Sequence, residues 1–254
     1  MIMNEEIFFK LSIGWTILAI ALFPILLKIK QPYGRHTHKG WGLLMPNKLG
    51  WIIIEAPSLI IFSYIFLSGN NLDNTLSVFI FFLWITHYSH RTFIFPLMTK
   101  TRGKKIPVLI VVLGFFFNVV NATLNAYYLG YISDGYQISW ITTPQFIIGF
   151  ILFLSGMLIN ILADYKLISL RKQSPNGYKI PKKGLFEYIS CPNHFGEIIE
   201  WIGFSILSWN LASLSFAVWT VVNITPRSLD HHKWYKLNFP NYPKKRKAIL
   251  PFIV

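Results

Sequence analysis

Cys191-Pro-Asn-His-Phe-Gly-Glu-Ile-Ile-Glu-Trp-Ile-Gly-Phe204 opens an apolar segment that runs to about Leu211. The run predicts a helix at a membrane surface. Pro192 suits its first turn, where no intrahelical N–H bond is needed. Asn193, Glu197, Glu200 and Trp201 follow at helical spacing and share one face. Gly196 and Gly203 admit the close approach of another backbone. Carboxylates in an apolar segment are costly in lipid, so Glu197 and Glu200 must face protein or water. A solvated first turn accounts for Glu197 alone. It does not account for Glu200 or for the Asn193/Glu197/Trp201 stripe, which reads as a polar ligand site.

The surrounding chain has 254 residues, 53% of them hydrophobic, and a mean hydropathy of +0.46. Soluble domains are rarely this apolar, and several runs approach the ~20 residues that span a bilayer. The formal net charge of +14 would suggest nucleic acid in a soluble protein. Here the basic residues sit between apolar runs, as membrane topology predicts, so no nucleic-acid partner is expected. Cys191 is the single cysteine, which excludes an intrachain disulfide and a Cys-rich metal site. Glu5 and Glu6 precede the first apolar run and no small-residue cleavage site follows it, so that run reads as a retained anchor.

Seven spans are expected, at about 11–28, 49–68, 75–98, 106–131, 144–164, 194–210 and 212–226. The connector after the first carries Arg35, Lys39 and Lys48, with Pro32, Gly34 and Gly40 marking irregular backbone. Basic connectors alternate with nearly uncharged ones along the chain. An odd number of spans then places the N-terminus outside and the C-terminus in the cytoplasm. No internal repeat is present and no connector is long enough for a second folded domain. The expected architecture is therefore an all-α integral membrane protein, residues 1–254 forming a single membrane-embedded domain.

The later spans carry polar residues. Glu55 lies well inside the second, in Trp51-Ile-Ile-Ile-Glu-Ala-Pro57. A buried, unpaired carboxyl keeps its proton more readily than one in water, and can then donate a hydrogen bond. The third holds Thr86-His-Tyr-Ser-His-Arg-Thr92, in which Tyr88 can point a phenol at a carbonyl oxygen. His87 and His90 lack a third nearby ligand, so no metal site is read there. Asn118, Asn121 and Asn125 share a face of the fourth span, as helix glue or as a site in equal measure. Asn160 and Asp164 are one turn apart in the fifth. After the seventh come Arg227, His231 and Tyr235, also one turn apart, with His232 expected to face water. Neither a G-x-G-x-x-G nor a Walker A sequence occurs, so a nucleotide must be held by side chains between helices.

The motif Asn193-x-x-Gly-Glu-Ile-x-Glu-Trp-x-Gly203 and the tail Tyr242-Pro-Lys-Lys-Arg-Lys-Ala-Ile-Leu-Pro-Phe-Ile253 resemble the steroid 5α-reductases (3-oxo-5α-steroid 4-dehydrogenases). The likeness runs from about Gly50 to the C-terminus and suggests a bacterial-type member. These are membrane enzymes that reduce an enone carbon–carbon double bond with NADPH. The resemblance implies that Glu55 and Tyr88 hydrogen-bond the steroid 3-keto group. It also implies NADPH contacts for Arg102, Asn160, Asp164, Arg171, Tyr178, Asn193, Glu197, Trp201, Arg227, His231 and Tyr235. The chain departs from the family at two places. Ile54 stands where a glutamine commonly precedes the glutamate, and Lys179 replaces a common arginine, keeping the charge but not the forked geometry.

The expected reaction is hydride transfer to the β-carbon of a Δ4-3-oxosteroid or similar enone lipid, its carbonyl polarised by Glu55 and Tyr88. The expected partners are a hydrophobic, steroid-like substrate arriving from the bilayer and the membrane lipids themselves, with the chain a monomer. A multi-pass protein of a bacterial inner membrane is expected, or of the endoplasmic reticulum in a eukaryote. Two other classes fit less of the sequence. A membrane methyltransferase of the isoprenylcysteine type would bind S-adenosylmethionine at a similar place without needing Glu55 or Tyr88. A seven-helix lipid transporter or receptor would line a pathway with its polar stripes.

Overall fold

A computed structural model describes residues 3–32, 36–37, 39–101, 103–173 and 178–254. Arg102, Gly34 and Arg35, singled out above, lie outside these. The described chain is built from helices: α1 (Glu5–Leu26), α2 (Asn47–Leu67), α3 (Thr75–Ser89), α4 (Phe95–Met98), α5 (Val108–Tyr127), α6 (Pro144–Lys172), α7 (Pro192–Ser208) and α8 (Leu211–Asn238). Every expected span falls on one or more of them. Four helical stretches are long and apolar enough to cross a bilayer by length and composition: Glu5–Leu26, Asn47–Leu67, Val108–Ile132 and Pro144–Lys172. The other expected spans differ for local reasons. A π-helical turn, His90–Ile94, separates α3 from α4. Helix α7 has 17 residues. Helix α8 carries the charged sequence Arg227 to Lys236 in its second half.

Helices α6 and α8 outrun the expected ends at 164 and 226, because Lys and Arg are good helix formers and a charged sequence does not by itself stop a helix. Polar side chains are buried among the apolar core, and many large apolar side chains are exposed. Ser58, Asn118, Asn121, Asn160, Asp164 and Glu200 are buried, while Ile17, Ile60, Phe116, Ile151 and Leu158 are exposed. Water would make such a surface an aggregation hazard, whereas lipid tails match it.

The chain forms two compact units. The first comprises Met1–Gly14, Gln31–Phe146 and Asn210–Ser213, and the second Trp15–Lys30, Ile147–Trp209 and Leu214–Val254. In the first, a short antiparallel clip pairs β1 (Leu44–Pro46) with β2 (Lys105–Pro107). It starts α2 and α5 side by side, so these run parallel. Gly50 meets Ile106 and Val111, Gly114 meets Ile54, and Gly69 meets Gly130. Helix α3 returns antiparallel to α2 along an aromatic ladder. Phe66 stacks on Phe81 at 4.7 Å and Phe62 on Trp84 at 4.4 Å. The Trp84 indole then donates to the Ser58 carbonyl at 2.8 Å.

In the second unit, α6 and α7 are antiparallel along a glycine seam. A Cβ on Gly156 would lie 2.6 Å from the Gly196 carbonyl oxygen, and one on Gly203 would lie 2.6 Å from that of Gly149. The expectation that Gly196 and Gly203 admit a neighbouring backbone is thereby met, and the neighbour is α6. Helix α1 joins this unit through Trp15, whose carbonyl accepts from the Trp219 indole at 2.9 Å.

Candidate active site

Two polar clusters stand out, one in each unit. The first is organised by α2. Asn118 of α5 donates to the Ile54 carbonyl at 2.7 Å, holding the backbone next to Glu55. Pro57 removes a helical donor just beyond, which loosens the helix there and leaves carbonyls to be satisfied by a neighbour. Of the three asparagines, Asn118 is thus glue, and Asn125 bonds the Asn121 and Ala212 carbonyls. Ile54 packs with Ile106 and Val111. Gly114 makes room for it.

Glu55 is 8% exposed and Tyr88 3%. Continuing the α2–α3 ladder, the Arg91 Nη2 stands 4.0 Å from the Glu55 Oε1, both side chains nearly buried. The register places Tyr88, one turn beyond Trp84, between the Ser58–Trp84 and Glu55–Arg91 rungs. Tyr88 packs on Trp84 at 4.9 Å. Arg91 sits in the π turn, with its guanidinium 4.5 Å over the Phe95 ring. The expectation of an unpaired Glu55 carboxyl is corrected here: it has a buried cation beside it. The extra residue of the π turn changes which side chains line a helix face, so 3.6-residue spacing did not predict that pairing.

The second cluster caps the glycine seam. Asn160 of α6 donates to the Asn193 carbonyl at 2.9 Å and to the Glu197 carboxylate at 3.3 Å. Asn193 donates in turn to Asp164 at 3.0 Å. Four residues expected at one site are therefore joined in one network. Trp201, one turn after Glu197 on α7, is buried against Phe153 and Phe216. Arg171, in the last turn of α6, lies over Tyr178 at 5.5 Å, and Tyr178 packs on Trp234 at 4.9 Å. Arg227 donates to Asn223 at 2.8 Å. Tyr235 is buried and stacks on Tyr242 at 5.2 Å. This set suits a phosphate-bearing dinucleotide. Amides and carboxylates match ribose hydroxyls and a carboxamide, and guanidinium groups match phosphates.

The sequence reading missed two parts of this cluster. His194 lies 2.8 Å from the Ser228 hydroxyl and stacks on His231 at 5.6 Å. Ser190 ties the tail to α8: its hydroxyl donates to the Lys247 carbonyl at 3.0 Å and meets Tyr242 at 2.7 Å and His232 Nδ1 at 2.5 Å. Since the serine proton goes to Lys247, both partners donate to it. His232 therefore does not simply face water. Burial, and then the charges of Lys236, Arg246 and Lys247, push its imidazole down to about 4.

An unfolded histidine titrates near 6.5. Between 6.5 and 4 the unfolded chain binds the extra proton, so stability falls as pH drops through that window and is complete above it. His232→Asn keeps a donor for Ser190 and cannot titrate. Its unfolding temperature is expected to drop less between pH 7.5 and pH 5 than that of the unmodified chain. Equal drops would show that the Ser190 clip is not proton-linked.

Comparison with known proteins yields two findings. A sequence profile of the 3-oxo-5-alpha-steroid 4-dehydrogenase family matches residues 104–254. The chain is 37% identical to Steroid 5-alpha-reductase DET2 of Arabidopsis thaliana over 256 aligned positions, covering 98% of each chain. It is 38% identical to 3-oxo-5-alpha-steroid 4-dehydrogenase 1 of Homo sapiens, covering 92% of this chain and 90% of the relative.

Proposed function

Because this chain belongs to the 3-oxo-5α-steroid 4-dehydrogenase family, we propose that it reduces the C4–C5 double bond of a Δ4-3-oxosteroid, or of a similar enone lipid, with NADPH. The family places it among the oxidoreductases of steroid metabolism, and its apolar helices among membrane proteins. The observation that supports the finer reading is that Glu55 of α2 and Tyr88 of α3 are both buried, on helices that pack against each other. NADPH, when bound, supplies the hydride that adds to the β-carbon. The chain's part at the carbonyl is electrostatic. The Tyr88 phenol donates to the oxygen as enolate charge develops, and Glu55 donates beside it in its acid form, as a preformed oxyanion site does. The Arg91 Nη2, 4.0 Å from the Glu55 Oε1, adds positive charge next to that carboxyl.

Asn160, Asp164, Asn193 and Glu197 hold the nicotinamide and ribose end. Arg102, Arg171 and Arg227 hold phosphates, and Tyr178, Trp201, His231 and Tyr235 complete the cofactor contacts. A purified sample is expected to gain thermal stability from NADPH and not from S-adenosylmethionine. It is also expected to oxidise NADPH when given a Δ4-3-oxosteroid. Arg171→Ala is expected to weaken NADPH more than NADH, because a guanidinium fork pairs two oxygens of a 2′-phosphate. Stabilisation by S-adenosylmethionine alone would transfer the chain to methyl-group chemistry, and equal losses of NADPH and NADH would remove Arg171 from the phosphate.

Seven spans within one membrane domain, an external N-terminus and a cytoplasmic C-terminus complete the reading, with the chain acting as a monomer in a bacterial inner membrane, or in the endoplasmic reticulum of a eukaryote. The parallel course of α2 and α5, with α3 antiparallel between them in sequence, supports successive crossings. A reporter active only in the cytoplasm is expected to signal when fused after Val254. Silence there, with activity near Asp134, would invert the topology.

A further inference from the structure

His194 and Asn193 are adjacent in the first turn of α7, and they reach in different directions. The Asn193 side chain bonds Asp164 of α6, while His194 bonds Ser228 of α8. Two neighbouring side chains thus fasten the N-terminus of α7 to the helices packed against it. The Ser228 hydroxyl spends its one proton on the Ile224 carbonyl at 3.0 Å. Its oxygen can then only accept, so His194 is the donor through Nδ1. That assignment fixes both the tautomer and the plane of the His194 ring. The ring lies nearly parallel to that of His231, with centroids 5.6 Å apart and planes 29° apart. His231 stands one turn after Arg227 on α8.

We propose that His194 is a positioning residue of the dinucleotide site, acting through its bond to Ser228 and its stack on His231. The inference rests on the NADPH reading above and adds a residue which that reading does not use. The physical reason is entropic. His231 and Arg227 project from the second half of α8, and an unsupported imidazole would lose rotamer freedom on binding a ligand. Stacking on a ring that is itself hydrogen-bonded removes that freedom beforehand. The same bond holds the first turn of α7, whose unsatisfied N–H groups attract anions, at a set distance from α8. Losing one such bond is expected to weaken the ligand by roughly tenfold.

The test measures NADPH affinity directly, by calorimetry, on the whole purified chain carrying His194→Ala, His194→Asn, Ser228→Ala or the His194→Ala/Ser228→Ala pair. His194→Ala and Ser228→Ala are each expected to weaken NADPH by about tenfold, and the double substitution is expected to cost no more than His194→Ala alone, since both remove one bond. His194→Asn presents an amide N–H near the Nδ1 position and is expected to recover part of the loss. In turnover the effect is expected in KM for NADPH and not in kcat. Unchanged affinity in His194→Ala, additive losses in the double substitution, or a loss confined to kcat would each overturn the proposal. An unmodified chain that binds no NADPH would overturn the cofactor reading and this inference together. Tight binding by the unmodified chain and by His194→Ala alike would overturn the inference alone.

Discussion

Tyr88→Phe is expected to lower the single-turnover rate of NADPH oxidation with a Δ4-3-oxosteroid by roughly 10²–10³, the usual cost of removing one donor aimed at an oxyanion. NADPH affinity should stay nearly unchanged, because only a hydroxyl is lost and the ring still packs on Trp84. Glu55 extends the same experiment. Glu55→Gln preserves shape and a donor, whereas Glu55→Ala removes both, so the glutamine variant is expected to retain more activity. The Arg91 guanidinium sharpens this comparison, since glutamine keeps a donor but can never carry the charge that a guanidinium would pair with. If Glu55→Gln falls as far as Glu55→Ala, the charge pair matters and the donor does not. Normal turnover in Tyr88→Phe, or loss of cofactor rather than chemistry in both Glu55 variants, would end the idea of a carbonyl-polarising pair.

Gly203→Ala is expected to destabilise the fold by more than the roughly 1–3 kcal/mol typical of an overpacked core. The added methyl would lie 2.6 Å from the Gly149 carbonyl oxygen and 2.9 Å from the Leu152 carbonyl carbon. Those neighbours are backbone and cannot rotate aside, so α6 and α7 must separate. The network of Asn160, Asn193, Asp164 and Glu197 lies at the end of that seam and depends on its register. Loss of NADPH binding is therefore expected to accompany the loss of stability. Gly14→Ala is the control: nothing lies within 4 Å of its added Cβ, and alanine is the better helix former by about 1 kcal/mol. Thermal unfolding in detergent checks both. A Gly203→Ala protein as stable as Gly14→Ala would mean that the seam does not hold these helices together.

The sequence by itself determined the helices, because lipid leaves a chain few ways to satisfy its backbone and the apolar runs are long. It also determined the α6–α7 contact from one side: Gly196 and Gly203 recur every seven residues, and in a membrane small residues at that spacing mean a close neighbour. Spacing along α7 and α6 likewise grouped Asn193 with Glu197 and Asn160 with Asp164, which the structure joins in one network. What only the tertiary structure decided were the contacts that no local period encodes. The approach of Arg91 to Glu55 needs the α2–α3 register together with a π turn, and a π turn follows no 3.6-residue rule. The β1–β2 clip joins segments about sixty residues apart through three residue pairs, too short to leave a strand signature. From the sequence, His194 carries no role and His232 reads as solvated. Their roles depend on Ser228 and Ser190, and a serine hydroxyl shows its partner only once the helices are packed.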